Sequence, residues 1–354
     1  MLLEENKPLA PLTTLGIGGP ARWFAQAATE GDVSEAAAWT RERGSALFVL
    51  GGGSNLLVAD KGFDGLVLHV ALLGIQEFRD ANSAIYRVAA GELWDNFVQR
   101  SLEDKCAGIE CLAGIPGTVG GTPVQNVGAY GQEVAGCVNR VRAFDRSTQA
   151  FVEFSAAECG FAYRRSRFNT ADRGRYVVTC VDYRLTPGGA PSLRYAELLR
   201  SFPEGETPSL LKVAEVVRRI RRSKGMLLVD GDPDCRSAGS FFKNPGLNQE
   251  RLKHVGVVSG KTPPCFPAGQ GTEESNQVKL SAAWLIEQSG FSKGFTRGAA
   301  GISSRHTLAL INRGGATAGE ILALADEIRA AVETKFGIRL EMEPELLGFE
   351  KAAL

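Results

Sequence analysis

The chain has 354 residues, 44% of them hydrophobic and 23% charged, enough to bury a sizeable core divided among two or three domains. Forty basic residues balance forty acidic ones. That balance excludes a global field able to hold nucleic acid or an acidic membrane surface, so an anionic ligand must be gripped locally. The opening Met1-Leu2-Leu3-Glu4-Glu5-Asn6 is acidic where a secretory leader is basic. Seven cysteines without a Cys-x-x-Cys pair and three scattered histidines, His69, His254 and His306, predict a reduced, cytoplasmic protein with no metal centre.

Taken in chain order, Asp32 with Glu35 reads as a helix-starting box, and Gly44 as the stop of that helix. A buried strand is expected over 46–50, then a glycine loop, Gly51-Gly52-Gly53-Ser54-Asn55, then a short strand from Leu56. Residues 66–75 are the longest apolar stretch, about half a membrane span, and read as one buried strand. Segments 85–89, 138–144 and 176–185 are further strands, and 93–102 is a helix. A helix over 207–224 is predicted from Thr207 as cap, Pro208 in the first turn and an apolar face of Leu210, Val213, Val217 and Ile220. Residues 260–271 read as a loop, and a last helix runs from Thr317, with Glu320 as its box partner, to Phe336 before Gly337. The fold class is α+β.

Read alone, the glycine loop is either a tight turn or a nest of backbone N–H groups that approaches a pyrophosphate. It is not the Rossmann fingerprint, because Leu56 stands at the third glycine position and no helix follows. Gly256 to Thr262 is one residue short of a P-loop and runs into Pro263-Pro264. The run Arg218, Arg219, Arg221, Arg222 and Lys224 is mostly a solvated helix face, with one or two members left for a phosphate. A second glycine-rich stretch, Gly114-Ile115-Pro116-Gly117-Thr118-Val119-Gly120-Gly121, leads to Asn126-Val127-Gly128-Ala129-Tyr130-Gly131 and points to a surface lined by backbone. Ser240 sits in no Gly-x-Ser-x-Gly elbow and has no evident histidine partner, which argues against a hydrolase triad.

In order along the chain, six motifs resemble those of the UDP-N-acetylenolpyruvoylglucosamine reductase (UDP-N-acetylmuramate dehydrogenase) family. They are Thr13-Thr14-Leu15-Gly16-Ile17-Gly18-Gly19, the glycine loop, the stretch 115–131, Tyr163-Arg164-Arg165-Ser166-Arg167-Phe168, Gly239-Ser240-Phe241-Phe242-Lys243-Asn244-Pro245, and Glu343-Pro344-Glu345. The resemblance implies a two-part FAD-binding module of the vanillyl-alcohol-oxidase type, 1–69 with 338–354 and 70–223, and a third α+β domain over 224–337 that binds substrate. FAD would lie on Gly51, Gly52, Gly53, Ser54, Asn55, Ile115, Pro116, Gly117, Thr118, Gly120, Gly121, Asn126, Gly128, Ala129 and Tyr130. It further implies a cytoplasmic monomer that takes hydride from NADPH and adds it to C3 of the enolpyruvyl group of UDP-N-acetylglucosamine enolpyruvate, in peptidoglycan precursor synthesis.

By the same resemblance Arg164 and a protonated Glu345 polarise the substrate carboxylate, and Ser240 delivers the proton to C2. Tyr195, Lys224, Asn244 and Lys293 are implied around the uridine and diphosphate. The chain departs from the family pattern at a loop position where Phe266 replaces a tyrosine and at His306 in place of a glutamine. The 224–240 stretch is also longer, which leaves open which lysine meets the diphosphate. Two other functions fit parts of the pattern: a flavin oxidase of small alcohols or hydroxy acids, and a nucleotide-sugar binding protein without flavin. The Ser240 motif argues against the oxidase.

Overall fold

The computed structural model describes residues 1–80, 82–205, 207–267 and 278–350. They form two compact units, one of residues 1–7, 21–53 and 64–223, the other of 8–20, 54–63 and 224–354.

The first unit carries two larger sheets and the two-stranded pair Gly128–Ala129 and Gln132–Glu133. One orders its strands Leu3–Pro8, Pro20–Ala27, Phe63–Val70 and Ala46–Leu50, the last two being parallel. The second orders Ala150–Ser155, Val138–Asp145, Tyr176–Pro187, Ala84–Ala89 and Ile75–Arg79, all antiparallel, with Cys106–Ala107 also on Tyr176–Pro187. Alternation along Ala84–Ala89 buries Ala84, Tyr86 and Val88 on one face. They meet Trp94, Phe97 and Val98 of the helix Trp94–Glu103 in one core.

In the second unit the helix Ala318–Phe336 lays Ile321, Leu324, Ala325, Ile328 and Val332 into a core shared with Phe241, Phe242, Leu285 and Leu310. Thr317 and Glu320 close the expected capping box, and Gly337 ends the helix in the left-handed region at φ 65°. Leu56–Val58 pairs in parallel with Glu345–Leu347, Leu56 opposite Glu345. Among the described residues no helix is long and apolar enough to cross a membrane.

Several expectations are corrected. The first helix, Glu30–Arg43, is capped by Thr29, and its box partner is Asp32 rather than Glu35. Thr29 is the residue with extended backbone, φ −132° and ψ 161°, so its hydroxyl is the one that reaches the Asp32 N–H. The apolar stretch 66–75 is not one strand. Phe63–Val70 ends, Leu73 turns outward at 72% exposure, Gly74 takes φ 136°, and Ile75 opens the next strand. The helix expected from Thr207 starts at Leu210, with the Ser209 hydroxyl accepting the Lys212 N–H at 3.2 Å. Of the loop expected over 260–271, Gly260 caps the helix Gln249–Ser259 and Cys265–Pro267 is a short strand containing Phe266, while 268–271 lie outside the described residues. The P-loop lookalike is the end of that helix, so it has no strand-to-helix turn to hold a phosphate.

Candidate active site

The two glycine stretches of the first unit converge. A β-carbon on Gly52 would stand 2.6 Å from Gly117 Cα, and one on Gly51 would stand 2.7 Å from Thr118 Oγ1, so backbone runs against backbone. The second stretch is locked from behind: Trp94 N donates to Gly117 O (3.1 Å), Val119 N to Glu92 O (2.9 Å) and Gly120 N to Ala90 O (2.8 Å). Among the described residues the N–H groups of Gly52, Gly53, Gly117 and Thr118 have no acceptor within the chain. Gly121 has ordinary φ and nothing within 4 Å of its would-be β-carbon, so neither backbone conformation nor packing explains a glycine there. Unpaired N–H groups beside open space are what a pyrophosphate requires, and the residues fit FAD.

The stretch is anchored at Gly114, whose N–H donates to Asp95 Oδ1 at 2.6 Å and whose carbonyl accepts from Arg221 Nε at 3.0 Å. Arg218 completes the clamp on Asp95 at 2.9 Å. The basic run is thus not simply a solvated face. Arg221 turns inward, and burial pulls it below the ordinary guanidinium value. Its contact with Tyr130 belongs to the same cluster, where burial pushes the phenol up to about 12. Tyr130 and Tyr195 meet edge to face, ring centroids 5.5 Å apart.

Asn126, Tyr130 and Arg164 all take positive φ, at 47°, 48° and 55°. Such backbone costs a side-chain-bearing residue about 1–2 kcal/mol and persists only where neighbours impose it. The neighbours are visible. Asn126 Nδ2 donates to Ala162 O (3.0 Å) and to Glu133 Oε2 (2.9 Å), and Asn169 Nδ2 donates to Arg164 O (3.1 Å). Arg164 Nη2 donates to Gly128 O at 3.0 Å, which ties the arginine to the Gly128-Ala129-Tyr130 segment. Ile115 and Pro116 are half-buried between the Gly114 clamp and the Gly117 contact.

In the second unit, Ser240 and Glu345 lie on adjoining segments. Lys243 N donates to Glu341 O and Glu343 N to Phe241 O, both at 2.9 Å, which sets the 240 segment against 341–343. Asn55 then joins them: its Nδ2 donates to Glu343 O at 3.3 Å and its carbonyl accepts from Glu345 N at 3.0 Å. Ser240 follows Gly239 at φ 73°, and among the described residues its hydroxyl has no hydrogen-bond partner. Asn244 Oδ1 is engaged by Ala282 N at 2.9 Å. Lys293 is exposed, and Lys224 is half-buried directly after the helix Leu210–Ser223.

The long 224–240 stretch is folded onto the turn that carries His306. Asp234, 6% exposed, accepts from Ser304 N (3.0 Å), Ser304 Oγ (2.7 Å) and Arg305 Nε (2.9 Å), and Arg305 also forks onto Asp232. Sequence reasoning passed over this pair, and over Ser237 and Asn312, and gave Thr14 and Asp95 no part in the site. Only the spacing Asp232-Pro233-Asp234 before Ser240 was a visible signal.

The family model of the FAD binding domain matches residues 21–149, so this α+β chain with its backbone cradle is a flavoprotein of the FAD-binding class. The model of the C-terminal domain of UDP-N-acetylenolpyruvoylglucosamine reductase matches 232–347. The chain is 48% identical to the UDP-N-acetylenolpyruvoylglucosamine reductase of Thermobifida fusca, over 97% of this chain and 98% of that one. It is 46% identical to that of Streptomyces coelicolor, over 97% and 90%. The crystal structure of the reductase from Thermus caldophilus superposes with a TM-score of 0.65 at 27% identity, covering 98% of this chain and 100% of that one. The chain belongs to the UDP-N-acetylenolpyruvoylglucosamine reductase family of flavin-dependent oxidoreductases.

Proposed function

We propose that the protein reduces the enolpyruvyl group of UDP-N-acetylglucosamine enolpyruvate to UDP-N-acetylmuramate for peptidoglycan precursor synthesis, with NADPH as reductant. In this reading it acts in the cytoplasm as a monomer. When bound, FAD supplies the two-electron relay from NADPH to C3 of the enolpyruvyl group. Gly52, Gly53, Gly117 and Thr118 would hold its pyrophosphate through their N–H groups, with Gly121 leaving room beside them.

Hydride arrival at C3 puts negative charge on C2 and its carboxylate. Arg164 meets that charge as a cation, and Glu345 meets it as a hydrogen-bond donor when protonated. Ser240 gives its proton to C2. A serine hydroxyl is a weak acid, but the carbanion-like centre is strongly basic, so placement outweighs acidity. Tyr195, Lys224, Asn244 and Lys293 bind the uridine and diphosphate, with 224–337 as the substrate domain and 1–69, 338–354 and 70–223 as the flavin domain of vanillyl-alcohol-oxidase type. The observation that best supports this reading is the pairing of the Ser240 and Glu345 segments through Asn55, with the serine hydroxyl left uncommitted.

Anaerobic half-reactions test it. NADPH should bleach the flavin, and UDP-N-acetylglucosamine enolpyruvate should restore its absorbance. Ser240→Ala should bleach at the normal rate and recover about 10²- to 10⁴-fold more slowly. Equal slowing of both steps would remove Ser240 as the proton donor.

A further inference from the structure

We infer that Thr14 and Ser237 form a two-hydroxyl tether that positions Ser240, the juxtaposition being Thr14 Oγ1 on the Ser237 carbonyl and Ser237 Oγ on the Gly239 N–H. The inference rests on the proposed role of Ser240. Thr14 Oγ1 lies 2.6 Å from Ser237 O and 3.5 Å from Ser54 O. A hydroxyl has one proton, so the short contact is the bond. Ser237, itself 6% exposed, receives the Gly239 N–H on its Oγ at 3.2 Å, closing a turn in which Gly239 takes φ 73°. Ser240 is the next residue.

The tether has a fixed base. Asn312, 5% exposed, donates from Nδ2 to Leu15 O at 3.0 Å and from its backbone N to Arg236 O at 2.9 Å. One asparagine therefore holds both segments that Thr14 joins. Beyond Ser240, Phe241 N donates to Leu308 O at 2.8 Å, and the Phe241 and Phe242 rings are buried. The backbone is thus pinned on both sides of Ser240, while among the described residues nothing holds its hydroxyl. That division suits a proton donor whose Cβ must be placed and whose O–H must remain free to turn toward a substrate carbon. It also gives Thr14, in the motif Thr13 to Gly19, a part in the site.

Thr14→Val keeps the shape of the side chain and removes the hydroxyl. The flavin should bleach with NADPH at the wild-type rate, whereas recovery with substrate should slow about tenfold or more, as misplacing a reacting group by a fraction of an ångström does. Thr14→Ser should restore recovery. Independently of activity, amide hydrogen exchange over 238–241 should quicken in Thr14→Val. Recovery within twofold of wild type, parallel loss of both half-reactions, or no rescue by serine would overturn the tether. If Thr14→Val does not fold, Ser237→Ala, which cuts the second link, decides by the same rates. Ser240→Ala run alongside separates the two claims. Slow recovery in Ser240→Ala with normal recovery in Thr14→Val sinks the tether alone, and normal recovery in Ser240→Ala sinks both.

Discussion

In the first unit Gly51, Gly52, Gly117 and Thr118 press backbone on backbone, and what they present is a set of N–H groups. In the second unit the side chains of Thr14, Asn55 and Asn312 hold carbonyls and that of Ser237 holds the Gly239 N–H, so that one residue, Ser240, is presented. Where backbone meets backbone, as at Gly52, no atom can be added, because the chain itself occupies the space a β-carbon would need. A site made of side chains tolerates substitution and loses only placement. The two regions should therefore fail in different ways.

The largest effect is expected at Gly52. Gly52→Ala puts a methyl 2.6 Å from Gly117 Cα, and the purified protein should be colourless with stability lowered by about 3 kcal/mol. Gly121→Ala, with nothing within 4 Å, should fold within about 0.5 kcal/mol of wild type and lose flavin affinity only. Flavin absorbance and thermal melting read both, and a yellow Gly52→Ala would break the comparison.

Next comes Arg164, the proposed carboxylate-binding residue of the first unit, which sits on strained backbone at φ 55°. Arg164→Gly relieves about 1 kcal/mol of strain and forfeits about 1 kcal/mol from the hydrogen bond to Gly128 O. Melting should move by no more than about 3 °C, while recovery of the flavin by substrate slows at least about 100-fold. A collapse in melting temperature would mark Arg164 as structural.

The smallest effect lies away from both sites. Arg175 hydrogen bonds hold the buried Asp145 carboxyl well below the usual carboxylate range. A lowered folded pKa stabilises above the unfolded value, near 4, and that contribution is lost as pH falls through the folded value. Arg175→Gln should therefore lower stability at pH 7 and leave both half-reactions intact. The gap between the denaturant curves of variant and wild type should narrow as pH falls from 7 to 2, and a gap that stays constant would assign the effect to packing instead.

Much of the scaffold can be read from local pattern. The strands Ala46–Leu50 and Tyr176–Pro187 and the helix Ala318–Phe336 follow from periodicity and from cap residues that act on backbone three residues away. Where two local patterns overlap, the reading slips. Thr29 with Asp32 and Asp32 with Glu35 both spell a box, and the choice falls to the residue whose backbone is extended as the chain leaves Pro20–Ala27. In the run Arg218 to Lys224 every cation looks alike, and only packing against Gly114 and Tyr130 selects Arg221.

By itself the sequence determined the α+β elements, the family resemblance, the two glycine stretches and the identity of Ser240, Arg164 and Glu345 as candidates. These rest on residue type and on short spacings along the chain. Tertiary structure alone decided that Gly52 abuts Gly117, that Asn55 serves the Glu343 and Glu345 segment, and that Thr14 reaches Ser237 across 223 positions of sequence. A hydrogen bond is satisfied within about 3 Å of space whatever its distance along the chain, so its partner is settled only when the chain has folded.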